Sequence, residues 1–248
     1  MQKIFSYLFS MLYYISFGSC LVFFHALQSI SFFTIGYRAQ KFSVDILNFM
    51  ILKCLNLLGT KIEFNHLHKL PLNRSLIFVA NHQSTYDVPP IIWHLRKHHI
   101  KFVSKKELGK GIPSVSFNLR HGGSVLIDRD KPKQAIELVR NFGKQLSEKN
   151  HSAMIFPEGT RSKDGVPKHF QKTGLLILIE CMPNALIVPV SIENSWKMAK
   201  HKYFPIPLGV RLNFKVHKAM EIKSEKHHLL LERVEAIIKK ELLKKEHY

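Results

Sequence analysis

The sequence predicts an α/β protein with a central, largely parallel sheet flanked by helices, preceded by an N-terminal hydrophobic helical segment. From residue 61 onward, short apolar runs alternate with stretches of helical periodicity, the pattern of a layered α/β domain. The run from Ile4 to Tyr37 holds no Lys, Arg, Asp or Glu. A hydrophobic content of 46% is enough for a full core. We therefore expect two parts, residues 1–60 and a single domain over residues 61–248.

The N-terminal apolar run has the length needed to reach across a lipid bilayer. Ile4–Phe24 spans 21 residues, about 31 Å as a helix. The run continues through the place where a signal peptide would be cleaved, which disfavours a signal peptide. A second apolar segment, Val44–Leu58, follows, and Arg38 and Lys41 between the two suit a headgroup region. Residues 1–60 are thus predicted to anchor the chain to a membrane, and a spanning helix and an interfacial helix both remain open.

Beyond residue 61, apolar runs predict strands and amphipathic periodicity predicts helices. The predicted strands are Ile62–Phe64, Leu76–Ala80, Ile100–Val103, Val125–Ile127, Ala153–Phe156, Leu186–Ile192 and Val210–Val216. The predicted helices are Ile91–His98, Ala135–Leu146, Thr173–Cys181 and Leu230–Leu242. Pro189 lacks an N–H donor and therefore disfavours a central position for the strand that contains it.

The domain is strongly basic. Residues 61–248 carry 33 Lys and Arg against 17 Asp and Glu, a net charge of +16. Such a surface attracts polyanions: nucleic acid, anionic lipid headgroups or an acidic carrier protein. No nucleic-acid recognition motif or stacking platform occurs, so we expect no nucleic-acid partner. The neighbouring apolar segment favours a membrane lipid surface, at the inner membrane with the domain facing the cytoplasm.

The cysteines and histidines do not predict a metal or a cofactor. Cys20, Cys54 and Cys181 are scattered among apolar residues, which is typical of small buried side chains in a reducing compartment. The pairs His98-His99 and His227-His228 lack ligand spacing. We expect no metal site and no cofactor.

One candidate for chemistry is Asn81-His82-Gln83-Ser84-Thr85-Tyr86-Asp87, directly after the predicted strand Leu76–Ala80. An Asp five positions after a His, at a strand-to-helix turn, can hold the imidazole in one tautomer. The other ring nitrogen is then free to take a proton from a hydroxyl. The alternative is that Asp87 only caps the following helix.

Three further segments stand out, and one of them, at 156–162, follows an apolar strand just as 81–87 does, at the place where α/β sheets bind their ligands. Their sequences are Gly-Ser-Val-Leu-Ile-Asp-Arg at 123–129, Phe-Pro-Glu-Gly-Thr-Arg-Ser at 156–162 and Val-Pro-Val-Ser-Ile at 188–192. Gly159 permits close backbone approach, and Arg161 offers a planar fork suited to phosphate. Surface turns and a core strand are the alternative interpretation of these segments.

Taken together and in this order, the four segments resemble the motif blocks of the glycerolipid acyltransferase family with the His-x4-Asp signature. Within that family the chain is similar to the bacterial 1-acyl-glycerol-3-phosphate acyltransferases. The similarity covers roughly residues 60–220, and four ordered blocks are far more specific than one.

The resemblance implies a role for each matched residue. His82 would be the general base and Asp87 its partner. Substrate binding would fall to Glu158, Gly159, Thr160, Arg161, Arg129 and Lys105, with Arg161 at the acceptor phosphate.

The reaction implied is transfer of a fatty acyl group from acyl-CoA or acyl carrier protein to the sn-2 hydroxyl of 1-acyl-glycerol-3-phosphate. The product would be phosphatidic acid, for phospholipid biosynthesis. Another lysophospholipid or glycerol 3-phosphate as acceptor, and a non-catalytic lipid-binding relative, are the alternatives.

Overall fold

The structure, a computed structural model, describes residues 2–66, 68–224 and 226–243. The last five residues of the predicted domain, 244–248, lie outside the described residues. The helices are α1 Gln2–Thr34, α2 Tyr37–Leu55, α3 Val88–His94, α4 Val115–His121, α5 Pro132–Glu148, α6 Lys172–Cys181 and α7 His227–Leu243. The strands are β1 Lys61–His66, β2 Leu76–Ala80, β3 Ile100–Lys105, β4 Val125–Ile127, β5 Ser152–Ile155, β6 Leu186–Glu193, β7 Arg211–Val216 and β8 Met220–Glu221.

All eight strands form one sheet in the order β1-β7-β6-β2-β5-β3-β4, with β8 beside β6. The pairings β1–β7, β6–β2, β2–β5, β5–β3 and β3–β4 are parallel. β6 pairs with β7 and with β8 in antiparallel fashion. The predicted α/β class with a largely parallel sheet is therefore confirmed.

The strand that contains Pro189 is central, so the expectation of a non-central position was wrong. β6 lies between β2 on one side and β7 and β8 on the other. The Pro189 carbonyl accepts a hydrogen bond from the His217 amide at 3.0 Å, just where β7 has ended and β8 has not begun. The N and O atoms of a strand residue point to the same side. The missing N–H therefore faces the interruption of the ladder between β7 and β8.

Three other differences concern helices and a short strand. α4 and β8 were not predicted, because α4 has only seven residues with little periodicity and β8 has two. α3 begins at Val88, earlier than predicted, since prolines are tolerated in the first turn of a helix. It ends at His94 and gives way to a 3-10 turn, Arg96–His98.

The sheet is covered on both faces, which explains why its inner strands are apolar throughout. In β2, Leu76, Phe78 and Ala80 join the cluster beneath α2 and α3, whereas Ile77 and Val79 join the cluster beneath α5, α6 and α7. Successive strand residues point to opposite faces, so a strand buried on both sides reads as a continuous apolar run. The site is thus built on a rigid, fully buried platform.

α1 and α2 form an antiparallel helical pair linked by Ile35 and Gly36. Gly36 has φ 99°, a conformation that favours glycine, and it starts α2. α2 continues as a 3-10 turn and stops at Gly59, with φ 66°, as the sequence predicts. Within the described residues, one helix is long and apolar enough to cross a membrane, over Lys3–Thr34. In an 18-residue apolar stretch of this helix, 22% is buried, so most of that stretch is at least partly exposed.

The inner face of α1 is tied to the rest of the chain by polar contacts. The Ser10 hydroxyl accepts from the Ile206 amide at 2.8 Å, and the Tyr14 hydroxyl donates to the Tyr203 carbonyl at 2.6 Å. Ser114 donates its hydroxyl to the carbonyl of Leu21 at 2.8 Å. Residues 1–60 therefore share a core with the sheet domain, and the division of the chain at residue 60 stays a prediction.

Candidate active site

The candidate site lies along one edge of the sheet, where neighbouring parallel strands end. His82 comes just after β2, Glu158 after β5, Lys105 at the end of β3 and Arg129 after β4. These strands are adjacent in the order β2-β5-β3-β4. Carboxyl ends of parallel strands are where open α/β sheets bind ligands. The sequence segments singled out above therefore converge on one edge.

His82 and Asp87 form a direct pair. The Nδ1 atom of His82 lies 2.7 Å from Oδ2 of Asp87, and that same oxygen accepts from the backbone amides of Gln83 and Ser84 at 2.7 and 3.0 Å. The Asp87 side chain is fully buried, whereas the His82 side chain is 20% exposed. Because Nδ1 is engaged by the carboxylate, Nε2 is the nitrogen left for a substrate proton.

The local sequence explains this geometry. Ser84 is extended and caps the short 3-10 turn Thr85–Asp87, accepting from the Tyr86 amide at 3.1 Å. The Asp87 side chain accepts a hydrogen bond from the backbone amide of Ser84, which completes a capping box. Asp87 therefore is a cap as well as the partner of His82, and the two interpretations of its role are compatible.

The second oxygen of Asp87 is held by a residue that the sequence analysis missed. The Ser195 hydroxyl donates to Oδ1 of Asp87 and lies 3.4 Å from the side-chain oxygen of Gln83. Ser195 is fully buried and follows β6 by two residues. Its position directly beyond the Val-Pro-Val-Ser-Ile segment is the one signal that could have found it.

Phe156 was predicted as the last residue of a strand, but it is part of the site. Its ring stacks on the His82 ring at 4.2 Å between centroids, with an interplanar angle of 21°. The His82 carbonyl also accepts from the Ser162 amide at 2.8 Å. The imidazole is therefore fixed on one face by an aromatic ring and on one edge by a carboxylate.

Glu158 is buried beneath the backbone of His82. Its Oε1 atom accepts from the His82 amide at 3.1 Å, and its Oε2 atom makes no hydrogen bond of normal geometry with the described residues. Burial raises the pKa of Glu158 to about 7, against the opposing effect of the backbone amides of His82 and Lys168. The carboxyl group can thus hold a proton near neutral pH.

The remaining residues of that loop form the basic side of the site. An Arg161 Nη atom donates to the Tyr203 hydroxyl at 2.7 Å, and Lys168 donates to the Thr160 hydroxyl at 2.8 Å. Arg129 reaches over from β4 to donate to the carbonyl of Gly159. Gly159 has φ 69°, and a Cβ there would meet open space, so the glycine serves the turn. Together with Glu158, five of the six predicted binding residues are therefore neighbours.

Lys105 is set apart from this group. It pairs in register with Ile127, two residues before Arg129, and its ammonium lies 3.5 Å from a carboxylate oxygen of Glu107. Its side chain is half exposed. Lys105 thus stands at the rim of the site, on the strand between those that carry Glu158 and Arg129.

The described residues contain no group of three or more His, Cys, Asp and Glu side chains arranged to hold a metal ion. The site does contain an imidazole, that of His82, held by the buried Asp87 carboxylate, together with the exposed guanidinium groups of Arg161 and Arg129. Such an arrangement can remove a proton from a hydroxyl whose substrate also carries an anionic group.

The comparisons with known proteins identify the class. Residues 61–193, more than half of the chain, match the sequence model of the family described as Acyltransferase. The chain therefore belongs to the acyltransferase family.

Individual relatives agree with this assignment. A 1-acyl-sn-glycerol-3-phosphate acyltransferase of Cocos nucifera is 28% identical over 166 residues, covering 66% of this chain and 53% of the relative. One from Helicobacter pylori strain J99 is 35% identical over 134 residues, covering 51% of this chain and 54% of the relative. The chain spans about half the length of these relatives.

The fold is shared with a solved structure. The 1-acyl-sn-glycerophosphate (LPA) acyltransferase PlsC from Thermotoga maritima superposes with a TM-score of 0.83, covering 100% of this chain and 99% of that one, at 23% sequence identity. The likeness extends over the N-terminal helices as well as the sheet domain.

Proposed function

We propose that this chain transfers a fatty acyl group from a thioester donor to the sn-2 hydroxyl of 1-acyl-glycerol-3-phosphate, which yields phosphatidic acid. The observation that carries the proposal is the pair His82–Asp87, at 2.7 Å, beside the loop that holds Arg161. Family membership supplies the reaction type, and the names of the relatives supply the acceptor.

The chemistry follows from the free nitrogen of His82. Nε2 takes the proton of the acceptor hydroxyl as its oxygen attacks the thioester carbonyl carbon, forming a C–O bond. The tetrahedral intermediate then collapses, the C–S bond breaks, and the thiolate leaves and accepts the proton from the imidazolium. Asp87 stabilises the charged imidazolium between the two steps, which is the role a buried carboxylate performs for a catalytic histidine.

Arg161, Arg129 and Lys105 provide the positive charge for the acceptor phosphate. Arg161 is exposed and reaches Tyr203, while Arg129 lies against the loop at Gly159. A guanidinium group binds phosphate with paired N–H donors. We assign the phosphate to Arg161 and Arg129, and an outer contact to Lys105. Glu158, Gly159 and Thr160 shape the loop, and Glu158 holds the backbone of His82.

The donor is acyl-CoA or acyl carrier protein, both of which are anionic and suit a basic domain. A different lysophospholipid or glycerol 3-phosphate could use the same arginines, so these are the alternative acceptors. A non-catalytic lipid-binding relative would have no need for the buried Asp87 carboxylate that orients His82.

We further propose that α1 attaches the protein to the inner membrane, with the sheet domain in the cytoplasm. Large apolar side chains cover its outer face, among them Phe23 (64% exposed), Ile30 (61%) and Phe33 (73%). The inner face is occupied by contacts to the sheet domain, such as that of Tyr14. A helix packed on one side and apolar on the other suits the interface plane of a bilayer. Of the two arrangements left open by the sequence, we therefore propose the interfacial one.

The test is a matrix of donors and acceptors assayed in mixed micelles with wild type, His82→Ala and, as a matched control, His68→Ala, which changes an exposed histidine. We expect acyl transfer to 1-acyl-glycerol-3-phosphate by wild type and control, and its loss in His82→Ala. Equal activity in wild type and His82→Ala would contradict the proposal that His82 is the catalytic base. Wild-type binding of the lysolipids without transfer from any donor would favour the lipid-binding alternative.

A further inference from the structure

A cavity lies at the opposite end of the sheet from the candidate active site. It has a volume of about 270 Å³ and lies where β2, β3 and β5 begin. His82 and Glu158 follow the other ends of β2 and β5. Since β2 has five residues, roughly 17 Å of strand separates the two places. The cavity is therefore distinct from the site described above.

The lining of this cavity is basic. Six of its lining side chains can carry positive charge: Arg74, Lys97, His98, His99, Lys149 and His151. None of the described residues that line it is acidic. Arg74 has a carboxylate partner, because it pairs with Glu221 through two hydrogen bonds of 2.7 and 2.6 Å. Lys97 and Lys149 are exposed at the rim.

The two histidines nearest α2 are rigidly placed. Their rings, His99 and His151, stack at 4.9 Å between centroids and only 8° apart in plane. Tyr37 stacks on His151 at 5.7 Å, and its hydroxyl lies 3.2 Å from Nδ1 of His99. Side chains held in this way lose little conformational freedom when they bind a ligand.

Burial is the main cause of the lowered pKa values of His98, His99 and His151, so these rings are largely neutral near pH 7. Burial, Lys101, His99 and Lys149 lower the pKa of His151 to about 4. Lys101 is buried behind the histidines, with its ammonium 4.6 Å from the centre of the Tyr37 ring, and burial together with Lys41 lowers its pKa to about 7. Asp45, an acidic residue close to Lys101, is paired with Lys41.

We propose that this cavity binds a phosphate group, either free inorganic phosphate or the headgroup phosphate of a membrane lipid. An anion there would accept hydrogen bonds from the ammonium groups of Lys97 and Lys149, which supply the positive charge, and from N–H groups of the histidine rings. The volume of about 270 Å³ admits a phosphate with part of an attached group. Ile35, two residues before Tyr37 in the turn between α1 and α2, is 76% exposed. Because Tyr37 contacts His99 and His151, this exposed apolar side chain lies near the basic cavity, as a lipid headgroup site requires.

The test uses full-length protein with Arg161→Ala as the background, so that Arg161 of the proposed acceptor site contributes no phosphate binding. Lys97→Gln with Lys149→Gln is compared with Lys133→Gln and Lys144→Gln, an equal charge change on exposed residues of α5. One arm titrates inorganic phosphate by calorimetry. The other measures flotation with vesicles of phosphatidylcholine alone or with added phosphatidic acid. Thermal midpoints without phosphate show whether each variant is folded.

We expect the cavity variant to lose about tenfold in affinity, as removal of charged hydrogen bonds does, while the control stays within about twofold. A loss confined to inorganic phosphate would identify free phosphate as the ligand. A loss confined to vesicles that contain phosphatidic acid would identify a lipid headgroup. Equal binding by both folded variants in both arms would overturn the proposal.

Discussion

Asp87 is held at both of its carboxylate oxygens, and Ser195 holds the one that His82 does not. Oδ2 accepts from Nδ1 of His82 at 2.7 Å, and Oδ1 accepts from the Ser195 hydroxyl. His82 follows β2, and Ser195 follows the neighbouring parallel strand β6. Ser195 is 108 positions from Asp87 in sequence. The orientation of the carboxylate is therefore a property of the tertiary fold as well as of its own turn.

Ser195→Ala is expected to lower kcat by about tenfold to a hundredfold, with little change in the KM for the acceptor. The reason is that a buried carboxylate loses one of its donors, which is worth about 1.5–3 kcal/mol. Steady-state kinetics in micelles measures both constants. Ser191→Ala is the matched control, because it removes a buried hydroxyl, 2.8 Å from His217, that does not touch Asp87. A rise in KM at unchanged kcat would contradict the positioning role.

Arg161→Ala is expected to raise the KM for a phosphate-bearing acceptor by about tenfold and to change kcat less. A charged contact made equally in the ground and transition states contributes to binding alone. Arg140→Ala on α5, which loses an exposed pairing with Glu180 at 3.6 Å, is the control. If the acceptor KM stayed at the wild-type value, Arg161 would not be the residue that binds the acceptor phosphate.

Glu158→Gln is expected to change how stability depends on pH. The pKa of Glu158 is raised from an ordinary 4.5 to about 7. Between these values the folded protein keeps a proton that the unfolded chain has lost. Wild-type stability therefore falls as pH rises through this window, by on the order of 3 kcal/mol from this group. Glutamine cannot ionise and removes that contribution.

Urea unfolding of wild type and Glu158→Gln at pH 5, 6, 7 and 8 checks this. The variant should gain stability relative to wild type between pH 5 and pH 7, and the difference should level off above that. The other ionisable groups cancel in the comparison. Parallel curves for the two proteins would mean that the Glu158 carboxyl is not shifted.

Replacement of the outer face of α1 is expected to release the protein from vesicles. Ile15→Ser, Phe23→Ser and Ile30→Ser together should lower the partition coefficient onto vesicles by at least about a hundredfold. That change needs the loss of only about three or four buried methylenes at about 0.8 kcal/mol each. Leu229→Ser with Leu243→Ser, two exposed positions on α7, is the control. Vesicle binding that survives in the α1 variant would assign attachment to the basic surface instead.

The sequence predicted the sheet because its inner strands are buried on both faces, which leaves continuous apolar runs such as Leu76–Ala80. The positions of His82 and Arg161 followed from the strands that precede them. Ser195 and Tyr203 could not be predicted, because their roles depend on contacts between segments far apart in sequence. The prediction that Pro189 disfavours a central strand was wrong for the same reason. The missing N–H of Pro189 is tolerated because it faces the gap between β7 and β8, and that gap is a feature of the tertiary fold.

The contacts of α1 tie this helix to both parts of the candidate active site. The Tyr13 ring lies 6.2 Å, between centroids, from the ring of Tyr86, the residue just before Asp87. Tyr14 donates a hydrogen bond to the backbone carbonyl of Tyr203, and the Tyr203 hydroxyl accepts one from Arg161. With α1 at the lipid surface, the base and the phosphate contact would both stand at a fixed height above it. The helix would then set the distance between the lipid surface and His82, so that His82 could reach only those lipid hydroxyls that lie at the corresponding depth in the bilayer.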